Sequence, residues 1–428
     1  MTETILQDAA LGESYQVFDH PSGLRILVLH KPNYKSSYAL FATKYGSIDT
    51  KIQQSDGTFR TIPEGTAHFL EHKLFESEDL DAFARFAATG ASANAFTSFD
   101  MTGYLFSCAD RFSENLEILL DFVQSPYFTP ETVRKEQGII GQEIRMYKDS
   151  ADWQVAFNLL RALYHRHPVR IDIAGTEQTI AEISADLLYD CYRNFYNLNN
   201  MVLAVAGKAT AQEVLAVADK VLKPAAGKAA VREFIPEPKA PFQKKIVEHM
   251  PVQVPSFAFG YKETIDTPER TDKEVVCTDI ILQSIAGRSA PLYKQLLDEG
   301  LINNGFGAQF FYGFGYADCE FSGESRDPEG TVARIREAVR ETKKNGISAE
   351  SFERARRRLY GRLVMEFNEV EDLASNLVDA HLHGGTLFDR IQVVRSLTIE
   401  DVHARLAHIL DDKCTALSII LPMDGKDL

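Results

Sequence analysis

The strongest constraint on the fold is an internal repeat that divides the sequence into two similar halves. The segment ISADLLYDCYRNFYNLNNMVLAVAG at 183–207 has a counterpart, LTIEDVHARLAHILDDKCTALSIIL, at 397–421. Each segment begins with a helix-capping residue, Ser184 or Thr398, continues as an amphipathic helix with an acidic first turn, and ends in an apolar strand. The two caps lie 214 positions apart in a chain of 428 residues. A repeat of this period indicates two homologous domains.

The beginnings of the two halves also correspond, which allows the domain boundaries to be placed. YALFATKYGSIDT (38–50) and PSFAFGYKETIDT (255–267) each read as a strand that leaves through a polar turn. Between the halves, residues 223–241 are rich in Pro, Ala and charge, as expected of a linker. We therefore expect a domain at 1–222, a linker at 223–241 and a homologous domain at 242–428.

Hydrophobic periodicity predicts the elements of the first half. Strands are expected near 14–19, 24–30, 37–46, 102–108 and 201–207, and helices near 64–75, 79–89, 113–124, 130–148, 151–164 and 184–195. Strands followed by runs of helices predict an α+β fold, in which each domain is a mainly antiparallel sheet covered on one face by helices.

Composition excludes several classes of protein. The net charge of -15 and the pI near 5.3 argue against binding to nucleic acid or to an anionic membrane surface. No apolar run approaches the roughly 20 residues that a bilayer requires, and the N-terminal sequence MTETILQDAALGESY lacks the pattern of a signal peptide. We expect a cytoplasmic protein with no membrane span.

The five cysteines are scattered without a CxxC pair, so neither a disulfide framework nor a thiolate zinc site is predicted.

The most informative motif is GTAHFLEHKLFE at residues 65–76. A helix turns about 100° per residue, so His68, Glu71 and His72 project from one face. Two imidazoles one turn apart can reach a single tetrahedral zinc ion and leave room for one more protein ligand and a water. H-x-x-E-H is the inverzincin signature, in which Glu71 would be the general base towards a metal-activated water. The alternative is a chance match of these residues.

A candidate third ligand lies in TPETVRKEQGIIGQEIRMYKDS, residues 129–150. Glu136 and Glu143 are seven residues apart, or two helical turns, so they share one face. One carboxylate can bind the metal while the other orients a histidine. A solvated acidic stripe is the alternative, but several apolar residues predict that this helix is largely buried. They are Ile139, Ile140, Ile144 and Met146.

H-x-x-E-H followed by E-x(6)-E, with Glu143 71 positions after His72, resembles the pitrilysin/insulinase family of zinc peptidases, which includes mitochondrial processing peptidase. The resemblance covers the whole chain and is closest to short bacterial members that are similar to processing peptidases. It implies that His68, His72 and Glu143 bind one Zn2+ per chain. It also implies that Glu71 is the general base and that Glu136 is a supporting carboxylate behind the ligands.

The stretch GASANAFTSFDMTGYLFSC at 90–108 predicts how a peptide is held. Small residues followed by alternating apolar and polar residues indicate an edge strand, to which an extended peptide can add by backbone hydrogen bonds. An ordinary edge strand of a hairpin is the alternative. In the family, an NAFTS-like stretch pairs with substrate beside the zinc. The resemblance therefore implies substrate-binding roles for Asn94, Ala95, Phe96 and Thr97.

The second half lacks the metal motif, since Leu282 occupies the position 214 residues after His68. In many relatives the corresponding domain supplies an Arg and a Tyr that help to bind substrate. Here Asp298 stands where the Arg is expected, and no Tyr is in register. The resemblance implies that two-domain chains complete a substrate chamber by dimerising. The missing Arg and Tyr favour a heterodimer with a paralogous subunit that lacks the zinc motif, and a homodimer is the alternative.

These observations favour a zinc-dependent endopeptidase that hydrolyses extended peptides. A catalytically silent peptide-binding or structural subunit is one alternative. A different metal hydrolase is another, although the peptide-binding strand would then have no clear purpose. The silent subunit is disfavoured because it has no need of Glu71 beside the ligands.

Overall fold

The computed structural model describes residues 2–53, 56–78, 81–225 and 227–423. The strands are β1 (Thr2–Asp8), β2 (Glu13–Asp19), β3 (Arg25–His30), β4 (Ser37–Thr43), β5 (Lys51–Gln53), β6 (Phe59–Thr61), β7 (Ser92–Thr97), β8 (Thr102–Cys108), β9 (Met201–Gly207), β10 (Lys245–Met250), β11 (Ser256–Lys262), β12 (Gly307–Gly313), β13 (Tyr316–Glu324) and β14 (Thr415–Pro422). The helices are α1 (Thr66–Leu74), α2 (Ala82–Thr89), α3 (Phe112–Val123), α4 (Pro130–Lys148), α5 (Ala151–Leu163), α6 (Glu177–Ala181), α7 (Ala185–Phe195), α8 (Ala211–Val221), α9 (Asp272–Ala286), α10 (Pro291–Asp298), α11 (Pro328–Asn345), α12 (Ala349–Met365), α13 (Val370–Leu382), α14 (Asp389–Ser396) and α15 (Ile399–His408). Among the described residues, no helix combines the length and the apolar character needed to cross a bilayer.

The chain forms two compact units, and neither is continuous in sequence. Unit 1 comprises Met1–Ile144, Asp172–Glu233 and Val364–Phe388, and unit 2 comprises Arg145–Ile171, Phe234–Leu363 and Asp389–Leu428. Helix α5, from the first half of the sequence, thus belongs to unit 2, and α13, from the second half, belongs to unit 1. The predicted boundaries at 1–222 and 242–428 describe homologous halves of the sequence, and they stay a prediction.

Unit 1 is built on a seven-stranded sheet with the order β1-β2-β3-β9-β4-β8-β7. Strands β3 and β9 run parallel, and every other neighbouring pair in this sheet is antiparallel. Strands β4 and β9 are buried at every position, so helices cover both of their faces. Helix α13 packs on these two central strands, and α3 packs on β4 and β8.

Unit 2 repeats this topology in a five-stranded sheet with the order β10-β14-β11-β13-β12. Its only parallel pair among the described strands is β10 with β14, which matches β3 with β9 in position and direction. Helix α5 packs on β14 and β11 of this sheet. The predicted α+β fold with two similar sheet-containing halves is confirmed, and each central sheet also carries a helix from the opposite half of the sequence.

Helices α5 and α13 each pack in the unit that is built mainly from the other half of the sequence, and we call them the exchanged helices. The last residue of each helix accepts a hydrogen bond from a lysine at the end of a central strand. In unit 2, Lys262 at the end of β11 donates from Nζ to the carbonyl oxygen of Leu163, the last residue of α5, at 3.0 Å. In unit 1, Lys44 directly after β4 donates from Nζ to the carbonyl oxygen of Leu382, the last residue of α13, at 3.0 Å. A cation at a helix C-terminus satisfies a carbonyl and complements the helix dipole. The repeat therefore extends from the topology to individual side-chain contacts.

Candidate metal centre

The residue directly before helix α1 is a glycine that fits closely against a neighbouring loop. Gly65 has φ +84, and a Cβ at this position would lie 2.4 Å from the carbonyl oxygen of Ala174. Any other residue would combine left-handed strain with a backbone clash. Thr66 then donates from Oγ1 to the carbonyl oxygen of Pro63 at 2.6 Å. The start of the motif helix is thereby fixed within unit 1.

Three predicted ligands converge on one point. His68 and His72 project from α1 and Glu143 from α4, with their ligand atoms all within 4.8 Å of one another. His68 Nε2 lies 3.6 Å from Glu143 Oε1, and His72 Nε2 lies 3.5 Å from Glu143 Oε2. These distances are longer than a charge-assisted hydrogen bond. They are close to the ~3.3 Å that separates neighbouring ligand atoms in a tetrahedral zinc site. The donor set of two imidazoles and one carboxylate fits zinc.

Glu136 lies behind the three predicted ligands and contacts His72. Its Oε1 is 3.0 Å from Nδ1 of His72. A carboxylate in this position keeps the imidazole proton on Nδ1, so the lone pair of Nε2 is available for a metal. Burial alone would lower the pKa of His72, but the hydrogen bond to Glu136 and the charges of Glu71 and Glu143 raise it.

His68 is held in the neutral form that a metal ligand requires. The side chain is buried, and burial together with the neighbouring charge of His72 lowers its pKa to about 3. Its Nδ1 is buried and makes no hydrogen bond within the part of the chain that the structure describes. The imidazole therefore enters the cluster without a carboxylate partner of the kind that Glu136 provides for His72.

Glu71 lies beside the ligands but is held by a different partner. Its Oε2 accepts a hydrogen bond from Thr97 Oγ1 at 2.7 Å. Burial raises the pKa of Glu71, while the Thr97 hydrogen bond and the charge of His72 act in the opposite direction. A carboxylate with a raised pKa is a suitable proton acceptor near neutral pH.

The predicted substrate-binding residues lie on β7, the last strand of the sheet of unit 1. Among the described residues it pairs only with β8. Ser98 and Met101 are the next pair beyond this register, and Ser98 N donates to Met101 O at 2.8 Å, so they continue the ladder as a hydrogen-bonded pair. Since such pairs alternate along antiparallel strands, the backbone groups of Ala93, Ala95 and Thr97 point away from β8. Asn94 Oδ1 accepts from Ala95 N at 2.9 Å, which agrees with that direction.

Phe96 is the exception among the four β7 residues, because its ring packs on the sheet. Phe96 and Gly103 are register partners. A Cβ at Gly103 would lie 2.8 Å from the Phe96 ring, so the ring covers this glycine. The side chain of Phe96 thus stabilises the hairpin of β7 and β8.

One expectation about α4 is only half right. Ile140 and Ile144 are buried as predicted, but Ile139 is 45% exposed and Met146 is 60% exposed. Residues 139 and 146 are seven positions apart and share a face of the helix. That face points outward, because α4 is amphipathic and buries only the side that carries Ile140, Ile144 and Glu136.

Several residues around Glu71 gave no sequence signal. Thr102 is fully buried, and its Oγ1 donates to the carbonyl oxygen of Tyr45 at 2.8 Å. The hydroxyl oxygens of Thr102 and Thr97 are 3.4 Å apart. The hydroxyls of Tyr104 and Tyr196 are 2.8 Å apart beneath the same region. These contacts depend on tertiary packing. Only Gly65, the first residue of the GTAHFLEHKLFE motif, could have been singled out from its position.

Unit 2 carries no equivalent centre in its described residues. Leu282 is buried on α9, and the exposed Asp298 ends α10. In its described residues the second half therefore has the architecture of the first half without a matching cluster of candidate ligands.

Comparison with known proteins now decides the family. Residues 61–177 match the insulinase family, peptidase family M16, and residues 182–359 match the domain described as the peptidase M16 inactive domain. YmfH of Bacillus subtilis, named an uncharacterized zinc protease, is 38% identical over 410 residues, covering 93% of this chain and 95% of that protein. The chain belongs to the M16 (insulinase) family.

Solved structures support this M16 assignment. An M16-like peptidase of Alicyclobacillus acidocaldarius superimposes with a TM-score of 0.93 at 36% identity, covering 98% of this chain and 100% of that one. A protease of Helicobacter pylori shares the fold, with a TM-score of 0.83 at 19% identity over 96% of this chain and 100% of that one. This M16 protein is thus similar, over 93% and 98% of its length, to proteins named as a zinc protease and a peptidase, and its cluster of His68, His72 and Glu143 lies in the part of the chain that matches the insulinase family.

Proposed function

We propose that this M16 protein is a zinc-dependent endopeptidase that hydrolyses extended peptides. The observation that carries the proposal is the convergence of His68, His72 and Glu143 with Glu71 buried beside them. Bound zinc would polarise the scissile carbonyl and increase the acidity of a coordinated water, which is the chemistry it supplies in hydrolases. His68, His72 and Glu143 are the residues that would hold the ion.

Glu71 would then handle the proton of the attacking water. Its Oε2 is held by Thr97, so Oε1 is the atom we assign as proton acceptor. Burial raises the pKa of Glu71, so the carboxylic acid can later return the proton to the leaving amine. Glu136 contributes indirectly by holding the His72 ring in a single orientation.

The edge of β7 would bind the substrate in extended form. The outward backbone groups of Ala93, Ala95 and Thr97 offer a ladder to which a peptide can add as a further strand. Asn94 covers the amide of Ala95 in the free protein and would release it to the peptide. Main-chain recognition of this kind selects extended segments with little dependence on sequence.

A catalytically silent peptide-binding or structural subunit is the second candidate. The match of residues 182–359 to the M16 inactive domain favours a non-catalytic role for the second half of the chain. It does not extend to the ligands of the first half. A silent subunit would bind peptides on β7 and leave Glu71 without a purpose.

We further propose that the protein works as a dimer, preferably with a paralogous subunit that lacks the zinc motif, and otherwise with itself. The proposal rests on the family resemblance, which implies an Arg at the position that Asp298 occupies here. Full activity of the purified chain without the paralogue would exclude the heterodimer.

A cytoplasmic location also stays a prediction, which cell fractionation can test.

The activity is tested by digesting a complex peptide mixture with the zinc-loaded protein, with and without the paralogue, and identifying the products by mass spectrometry. We expect cleavage within extended peptides by the wild type and none by Glu71→Gln, which keeps the ligands and removes the base. Stoichiometric zinc without cleavage in any combination would favour the silent subunit.

A further inference from the structure

Thr97 joins the proposed substrate strand to the proposed base. Its Oγ1 donates to Glu71 Oε2 at 2.7 Å. Glu71 is 8% exposed, and Thr97 is half-buried at the end of β7. An ionised carboxylate can only accept hydrogen bonds, so the threonine hydroxyl is the donor. This contact crosses from β7 to α1 within unit 1.

The neighbouring hydroxyl leaves Thr97 free to donate to Glu71. Thr102 Oγ1 donates its own hydrogen to the carbonyl oxygen of Tyr45 at 2.8 Å. The oxygens of Thr97 and Thr102 are 3.4 Å apart, and a hydroxyl has a single hydrogen. Thr102 therefore has a hydrogen-bond partner without Thr97, and the single hydroxyl hydrogen of Thr97 is donated to Glu71.

The two oxygens of Glu71 consequently differ. Oε2 is occupied by Thr97, whereas Oε1 makes no hydrogen bond to the described part of the chain. A glutamate on a helix has three rotatable side-chain torsions, and a hydrogen bond to one oxygen restricts them. A base that is restricted before substrate arrives needs no reorganisation during the reaction.

We propose that Thr97 is a positioning residue, whose hydroxyl holds Glu71 Oε2 so that Oε1 is kept as the proton acceptor. This inference rests on the proposed peptidase function. The backbone of Thr97 points to the free edge of β7, so the residue that aligns the base also belongs to the strand that pairs with the peptide. Binding of an extended peptide would thus stabilise the strand that orients the base.

The test compares three variants of the zinc-loaded protein. Thr97→Val keeps the shape and the strand propensity but removes the hydroxyl, whereas Thr97→Ser keeps the hydroxyl. Thr61→Val changes an exposed strand threonine and serves as the matched control. We expect Thr97→Val to lower kcat by roughly 10–100-fold with KM and zinc content unchanged, since small misplacement of a catalytic group is this costly. Thr97→Ser and Thr61→Val should stay within about threefold of the wild type.

Equal kcat for Thr97→Val and the wild type would overturn the proposal, and so would a Thr97→Ser variant as slow as Thr97→Val. Crystal structures of the zinc-loaded variants provide a readout that does not need turnover. The proposal predicts one position of Glu71 in the wild type and Thr97→Ser, and a displaced or multiple position in Thr97→Val. An unchanged Glu71 in Thr97→Val refutes the positioning role. An inactive wild type with the predicted displacement refutes only the peptidase function.

Discussion

His72 Nδ1 lies 3.0 Å from Glu136 Oε1, and this pair links the ligand helix α1 to α4. Removing such a carboxylate weakens metal binding by roughly 10–100-fold, because the ligand ring loses its fixed orientation and tautomer. We expect Glu136→Ala to show a loss of this size in zinc affinity, measured by competition with a chelator. Glu136→Gln, whose amide oxygen still accepts from Nδ1, should lose less. Equal zinc affinity of Glu136→Ala and the wild type would contradict this role.

The backbone N–H of Ala95, which points away from β8, can be removed by a substitution that leaves His68, His72 and Glu143 unchanged. Ala95→Pro deletes one backbone donor on the free edge of β7, and an edge strand tolerates proline. We expect KM for peptides to rise about 3–10-fold, the effect of one lost hydrogen bond, with unchanged zinc content. Ala95→Ser is the control, because it changes the side chain and keeps the backbone donor. Steady-state kinetics with an unchanged KM for Ala95→Pro would argue that peptides bind elsewhere.

Lys262 tests the packing of α5 in unit 2. Its side chain is 0% exposed and pairs with Glu237, which is 1% exposed, at 2.7 Å. Removing one partner leaves a buried charge, so Lys262→Met should lower the free energy of unfolding by about 3–5 kcal/mol. Glu237 also accepts backbone hydrogen bonds from residues 165–167, which hold it in place without Lys262.

The matching measurement is urea denaturation of the single variants and of Lys262→Met/Glu237→Gln. The double variant should lose less stability than the sum of the two single losses, because the neutral amide relieves the uncompensated charge. Additive losses would show that the pair is not coupled.

His381, which is not part of the cluster of His68, His72 and Glu143, should make the stability of the protein depend on pH. Burial, together with the charges of Arg25 and Lys44, lowers its pKa to about 4, with Asp19 acting in the opposite direction. Between about 6.5, the pKa in the unfolded chain, and about 4, the unfolded state binds a proton that the folded state does not. Stability should therefore fall as the pH is lowered through this window.

His381→Gln should make that part of the curve of stability against pH less steep in the metal-free protein, as measured by urea denaturation; the lowered pKa of His68 contributes in the same direction and is unchanged in the variant. His249→Gln, at an exposed strand position, controls for the change in side chain. A wild type and a His381→Gln variant with parallel curves from pH 6.5 to pH 4 would show that His381 makes no such contribution.

Local sequence patterns predicted much of the fold. The repeat of 214 residues predicted two similar sheets, and the predicted strands and helices of the first half lie within a few residues of the observed ones. Strand β1 was missed, because TETILQD on an exposed edge has no apolar alternation that points to a core. The exchange of α5 and α13 was also missed, since an amphipathic helix encodes which of its faces is buried but not which sheet covers it.

The sequence likewise predicted some features of the candidate site and not others. His68, Glu71 and His72 follow from helical periodicity, because one element carries all three. Glu143 comes from a distant helix, so its place near the histidines required either the family resemblance or the structure. The contact of Thr97 with Glu71 depends on how β7 packs against α1, and no spacing along the chain contains that information.

The central claim is that His68, His72 and Glu143 bind one zinc ion while Glu71 stays off it. The most direct measurement is anomalous diffraction at the zinc edge from crystals of the metal-loaded Glu71→Gln protein. We expect a single peak about 2.0–2.2 Å from a nitrogen of each histidine and from a Glu143 oxygen, with the substituted amide side chain outside that distance. A peak elsewhere, or a fully occupied site that lacks Glu143, would contradict the account.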